Sequence, residues 1–333
     1  MNAKSNPGQN GEKDQPMKTT RLFRTQTRFA AVTICAALFT PYRTAQAAVA
    51  ATAALLILAA NSAVAADRTW VGNGASAIWG GVANWSPSGP ANGADSTAYF
   101  TNTFNNGYRI TVNTARIIGH IVFTDPANLS DLTLAKHAND YALTLAVSSN
   151  SPVINVTQSG RTITVETVVA GAAGLTKDGR GTLILARANT YTGTTAANAG
   201  TLRVTTEGSA TTGVLVAGGA TISILVAAND GQWIVAGDWT NADNSVVRID
   251  YGDTAPSVAV APIQVASLFP GANVTLQIAA NSFAGLVAGQ SYPLITWTTS
   301  GPANASAFVN LIVTKGIVAN LSVTGSTLFL NIT

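Results

Sequence analysis

Two histidines, a run of five aspartates and three tryptophans are the residues in this sequence whose types could do chemistry. A general acid–base pair needs two carboxylates, or a carboxylate and an imidazole, held close together. Asp230, Asp238, Asp243, Asp250 and Asp253 form the densest acidic stretch, but their spacing gives no shared strand face. Asp250-Tyr251-Gly252-Asp253 reads as an ordinary turn, and the calcium-binding nonapeptide pattern of some solenoids is absent. His120 and His137 lack the H-E-x-x-H or H-x-x-H spacing that a metal wants; His120 comes ahead of a strand and reads as a surface or edge residue. There is no G-x-S-x-G elbow, and Gly179-Arg180-Gly181 is too short to cradle a phosphate. Lys177 and Arg180 read as turn decoration. No catalytic residue, cofactor site or metal site is therefore expected. Trp70, Trp79 and Trp85 are a separate case: their faces could stack on sugar rings, or their bulk could plug the open end of a core.

The pattern of apolar residues says which elements must carry these groups. Aligned on a four-residue strand, the chain gives Ala142-Leu143-Thr144-Leu145, Thr162-Ile163-Thr164-Val165, Thr182-Leu183-Ile184-Leu185, Thr201-Leu202-Arg203-Val204 and Thr221-Ile222-Ser223-Ile224. Every second and fourth position is aliphatic, which places those residues on one face of a strand. A fixed period near twenty in one strand register is how a β-solenoid looks in sequence. A further strand fits each period at Val153–Val156, Val214–Val216 and Trp233–Val235, so each coil holds two or three strands stacked at roughly 4.8 Å. Among the ten outward positions of the aligned strands, Arg203 is the one charge. That is a poor active site, and the threonine-rich face suits coil stacking or a weak interaction surface.

The stretch Gly174–Val204 resembles the autotransporter-associated β-strand repeat, also called the passenger-associated transport repeat. Three pieces carry the resemblance. The first is Gly174, Leu175, Thr176, Lys177, Gly179, Gly181, Thr182, Leu183 and Leu185. The second is the turn Asn189, Thr190, Tyr191, Thr192 and Gly193, and the third is Gly200, Thr201, Leu202 and Val204. Arg187 departs from the pattern, where the family more often has glycine. The resemblance implies a β-helical passenger region of a secreted or surface protein, a repeat thought to aid passenger folding and export, and no catalytic residues. The order around Trp70, Trp79 and Asn84-Trp85 also resembles the opening of secreted bacterial proteins that carry this repeat.

The remaining chain divides by composition. Residues 1–66 read as an export leader: seven of the 18 Lys and Arg fall there, with apolar tracts Phe29–Thr40 and Ala47–Ala60. Neither tract reaches the roughly 20 residues that span a bilayer, and the small residues before Asp67 suit cleavage after Ala65 or Ala66. Cys35, the one cysteine, belongs to the leader, so the body has no disulfide or thiolate site. Beyond Ala66 the chain holds 11 basic and 13 acidic groups. Such a near-neutral body has no electrostatic footprint for nucleic acid. Residues 67–126 read as a tryptophan-rich N-terminal cap, 127–229 as regular coils, and 230–333 as a looser continuation with a C-terminal cap, a small β-sandwich being the alternative for this last part. No barrel-like strands appear before Thr333, so a translocator is not expected within the chain.

The expectation is all-β: a right-handed parallel β-helix of about 20 residues per coil with an aromatic N-terminal cap. Its expected role is a secreted or cell-surface structural or adhesion-type protein of a bacterium, without catalytic activity. Its expected partners are extracellular polysaccharide, other surface proteins and the export machinery. The alternatives are a glycan-binding module using Trp70, Trp79 and Trp85, and a polysaccharide lyase or hydrolase.

Overall fold

The computed structural model describes residues 65–333, except 73–76, 105–106, 128–129, 208–210, 282–284 and 314–316. The leader tracts and Cys35 lie outside the described residues. Among these residues there are 24 strands and one 3-10 turn, Val82–Asn84, and no α-helix. The strands form two sheets, of fifteen and nine strands. Through most of the stack the chain alternates between them, so that a coil takes a strand from each sheet, with Leu143–Leu145 and Val169–Ala170 as additional strands of the larger one. From Val153–Val156 in the larger sheet it passes to Thr162–Val165 in the smaller one. It returns to Leu175–Asp178, crosses to Thr182–Leu185, and continues through Thr195–Ala197, Thr201–Thr205, Val214–Val216 and Thr221–Leu225. Successive strands within each sheet pair in parallel. This is a two-sheet parallel β-solenoid.

The register follows from the alternation. Thr162, Thr182, Thr201 and Thr221 are partners on four consecutive strands, as are Ile163, Leu183, Leu202 and Ile222. The aliphatic set is 0% exposed, while the threonine set is half-buried on the outer face. Each buried Leu or Ile contributes roughly 1.5–3 kcal/mol of apolar burial. Slipping a strand by one residue would turn its whole aliphatic set outward.

Two details of the sequence reading are corrected. Leu143–Leu145 does not stack on Thr162–Val165; it pairs with Arg116–Ile118 and Val169–Ala170 in the larger sheet. The true neighbour of Thr162–Val165 in the smaller sheet is Leu132–Lys136, with Leu132 opposite Ile163. Alternation reports which face of a strand is buried and says nothing about which of two similar sheets the strand joins. Likewise Val214 is the partner of Trp239, not Trp233, because the coil has lengthened. The chain needs the same added length on the other sheet, where Ile222 meets Val247.

After Leu225 the same two sheets continue, and no separate sandwich forms among the described residues. Val246–Asp250, Thr275–Ala279 and Asn310–Val313 extend the smaller sheet in parallel. Trp233–Asn241, Ile263–Pro270 and Ser291–Ser300 extend the larger one. The larger sheet then closes with an antiparallel meander, in which Thr327–Ile332 pairs with Ser291–Ser300 and with Ala319–Thr324.

At the other end the chain folds over the first coil. Arg68–Trp70 pairs with Gly93–Phe100 of the larger sheet and with Trp85–Ser86. A bridge from Ile78 to Thr111 lies along the first strand of the smaller sheet. The inward side chains of both sheets merge into one core from Trp70 to Ile332.

Candidate functional site

Three groups of residues merit a functional reading, and the first is the repeat. In Leu175–Asp178 the alternation turns Leu175 and Lys177 inward and Thr176 and Asp178 outward. Lys177 is 0% exposed, which corrects its reading as turn decoration. An ammonium has three donors, and all three are used. Nζ donates to the carbonyls of Asp178 (2.8 Å), Gly179 (2.8 Å) and Ala199 (3.0 Å). The last lies on the next coil, so the lysine clamps two coil corners together. Burial pulls its pKa from 10.5 down to about 8, against an opposing pull from the Asp178 carboxylate. The signal was present in the sequence, since Lys177 stands two positions from Leu175 on the same strand face.

The rest of the motif works in the same way. Asn189 is buried; its Oδ1 accepts from Val169 N (2.9 Å) on the preceding coil, and its Nδ2 donates to the Arg187 carbonyl (2.9 Å). The Tyr191 hydroxyl meets Thr195 Oγ1 at 3.0 Å, and Thr195 Oγ1 donates to Thr211 Oγ1 at 3.1 Å. Gly200 has φ +61°, and a Cβ there would fall on the carbonyl oxygen of Gly181 one coil below. Only glycine combines that backbone with so close an approach. Lys177, Asn189, Tyr191 and Gly200 are therefore directed into the stack and not toward a ligand, while Thr190 and Thr192 of the turn are exposed.

The second group is the tryptophans. Trp70, Trp79 and Trp85 are 0%, 0% and 2% exposed. They surround Phe100, with ring centroids 5.0 Å (Trp70–Trp85), 5.2 Å (Trp79–Trp85) and 5.6 Å (Trp85–Phe100) apart. Each indole N–H donates to a carbonyl, those of Gly72, Ala91 and Trp79 respectively. A stacking platform needs exposed ring faces, and here the faces meet one another. Their burial follows from a partner the alternation hides, Phe100 at the far end of the strand Gly93–Phe100. A second buried pair, Trp233 and Trp239, was not singled out from sequence; their rings meet edge to face at 5.5 Å.

The third group lies on the outer face of the smaller sheet. Arg203, Ser223 and Arg248 are in-register neighbours on three consecutive strands. Both arginines reach Oδ2 of Asp250, at 3.1 and 3.3 Å, while its Oδ1 accepts from Gly252 N at 3.0 Å. Beside this trio is a pocket of about 470 Å³ whose wall includes Arg203, Leu225, Asp250, Asp253, Thr254 and Asn281. Of the five aspartates in the acidic stretch, only Asp250 and Asp253 line it; Asp243 accepts from Ala272 N instead. His120 sits inside the strand Arg116–Phe123, where its Nδ1 accepts from Val153 N at 3.1 Å, so it does not precede a strand as read. His137 stacks on Tyr141 at 5.3 Å. Among the described residues, no three His, Cys, Asp or Glu side chains come together as metal ligands would.

With this geometry in place, one comparison with known families falls on the repeat itself. A family model described as the passenger-associated transport repeat matches residues 175–204. Over 158 residues the chain is 34% identical to the adhesin BmaC autotransporter of Brucella suis biovar 1 (strain 1330). That match covers 44% of this chain and 4% of the adhesin's length. No solved structure matches the chain.

Proposed function

From a chain that carries a passenger-associated transport repeat on a parallel β-solenoid, we propose a non-catalytic, adhesion-type role at a bacterial cell surface or in the surrounding medium. The observation that carries this reading is the 158-residue similarity to an autotransporter adhesin. The repeat supports it physically. Lys177 and Asn189 join one coil to the next, and Tyr191 holds Thr195, which bonds Thr211 on the next coil; this suits a segment that must set register in a chain folding without disulfides. A stack of this kind gains backbone bonds and apolar contacts from each added coil. Such growth would help a passenger fold once outside the cell. The leader at residues 1–66 belongs to the same reading, as the route of export.

Fractionation of the source bacterium with an antibody to the full chain tests it. The protein is expected in the surface or medium fraction, with an N-terminus at Ala66 or Asp67. Beads coated with it are expected to adhere to cell monolayers or polysaccharide films. Confinement to the cytoplasm, or an N-terminus at Met1 or Met17 in the exported material, would count against the reading.

A further inference from the structure

We infer that the pocket beside Arg203, Asp250 and Asp253 binds a neutral sugar unit of a polysaccharide. This names a partner class for the adhesive surface proposed above, and it rests on that reading. The other ion pairs on the coils are simple and open, as in Arg109–Glu166 and Arg187–Asp140. The Arg203–Asp250–Arg248 trio is different. Its carboxylate side chain is only 10% exposed and is held by two cations and a backbone amide, whereas the two arginines are 32% and 40% exposed. The anion is thus locked, and it fixes the Arg203 guanidinium in place. Arg203 directs Nη2 at Asp250, which leaves further N–H groups of a five-donor side chain for an outside partner.

The wall around it is equally fixed. Tyr251 N donates to the Ala279 carbonyl (2.7 Å) and Asn281 N to the Gly252 carbonyl (2.6 Å), while Thr254 Oγ1 donates to the Val226 carbonyl (3.0 Å). The turn is therefore tied to the coils on both sides, so little ordering remains to be done on binding. The Asp253 carboxylate is exposed and holds Asn281 Nδ2 through Oδ1 at 3.1 Å. Leu225 is half-buried and offers an apolar patch.

The ligand class follows from charge and inventory. One arginine, Arg203, and two aspartates, Asp250 and Asp253, line the pocket, and Arg248 pairs with Asp250 from outside the lining, so the pocket has no net attraction for an anion and Asp253 would repel a uronate or a sulfate. Donors from Arg203 and exposed acceptors from Asp253, which line the same pocket, match adjacent hydroxyls, which both donate and accept. Leu225 matches the C–H face of a ring. The volume falls within the range of small-ligand sites, about 300–1,000 Å³.

An array carrying neutral glycans (mannan, cellohexaose, maltohexaose) and acidic ones (alginate, hyaluronate), probed with the full chain, tests the site. Binding is expected to at least one neutral glycan, and to fall at least tenfold in Asp253→Asn with melting temperature unchanged and in Arg203→Gln, which also takes a partner from the mostly buried Asp250 carboxylate. Arg109→Gln, on a distant ion pair, should leave it unaltered. If Arg203→Gln fails to fold, Asp253→Asn and Asn281→Ala on the exposed rim decide the question. Binding to acidic glycans alone, no binding to any glycan, or neutral binding indifferent to Asp253→Asn would overturn the site. Bead adhesion separates this from the broader reading. Adhesion that survives Asp253→Asn removes the sugar site and keeps the adhesive role; array binding without bead adhesion does the reverse.

Discussion

At the scale of single residues, the buried polar groups of the repeat are structural, and Lys177 is the clearest case. Its ammonium is buried with its three donors satisfied, yet burial still holds its pKa at about 8 against 10.5 for a free lysine. Between those values the unfolded chain binds more protons than the folded one, so stability rises with pH across that window. Tyr251 acts in the opposite sense. Burial, with a smaller effect from Tyr292, raises its pKa above the usual 10, so the unfolded chain ionises first and stability falls as pH passes 10. Urea midpoints are therefore expected to climb between about pH 8 and 10, by about 1–3 kcal/mol in free energy, and then to turn down. In Lys177→Met the climb should vanish while the downturn remains; a climb retained in that variant would exclude the assignment. The lysine's inward direction was legible from its spacing to Leu175, whereas its bond to the Ala199 carbonyl depends on a distant coil corner. The tryptophans show the same limit. Aromatic type and glycine-rich surroundings fit a platform and a plug equally, and only the contact with Phe100 decides between them.

At the scale of strands, period-two alternation was enough to find the core face and the in-register ladder from Thr162 to Thr221. It failed at Leu143–Leu145, whose inward leucines look the same as those of the neighbouring sheet, and at Trp233, where the coil grew longer. Register can be tested directly. Leu202 is 0% exposed between Leu183 and Ile222, so Leu202→Asp places an unpaired charge in the core and is expected to cost about 3–5 kcal/mol. Thr201→Asp, the adjacent position on the half-buried outer ladder, should cost less than about 1 kcal/mol. Equal denaturation midpoints for the two variants would mean that the register is wrong. Gly200→Ala probes the coil corner in the same assay. It combines a left-handed backbone with a Cβ driven into the Gly181 carbonyl, and a loss of about 1–3 kcal/mol is expected. The Arg203–Asp250 pocket was not legible at this scale. The two residues are far apart in the chain. Only the lengthened coil between them, with Ile222 opposite Val247, brings the turn after Asp250 over the outer face.

At the scale of the whole molecule, a solenoid is held by nearest neighbours, so its stability should vary along the stack. The strands Thr162–Val165, Thr182–Leu185, Thr201–Thr205 and Thr221–Leu225 have paired neighbours on both sides. Short coils join the first three, with Ile163, Leu183 and Leu202 stacked in turn. Toward the C-terminal end the coils lengthen, and the steps from Val247 to Leu276 and from Leu276 to Leu311 each exceed any in that compact run. Longer connections add closure entropy slowly, but they also put fewer aliphatic residues into the core per residue ordered. The last strand of the smaller sheet, Asn310–Val313, pairs on one side only, and Ile312 is 48% exposed. The meander of Ala319–Thr324 and Thr327–Ile332 finishes the larger sheet and gives this strand no ladder partner. Opening should therefore start at Asn310–Val313 and stop at the compact coils that contain the transport repeat. Hydrogen exchange on the full chain is expected to be at least about tenfold slower in residues 162–225 than in 310–313. Uniform protection along the stack would instead mean that the solenoid opens as one unit, and the repeat would then hold no special place in its folding.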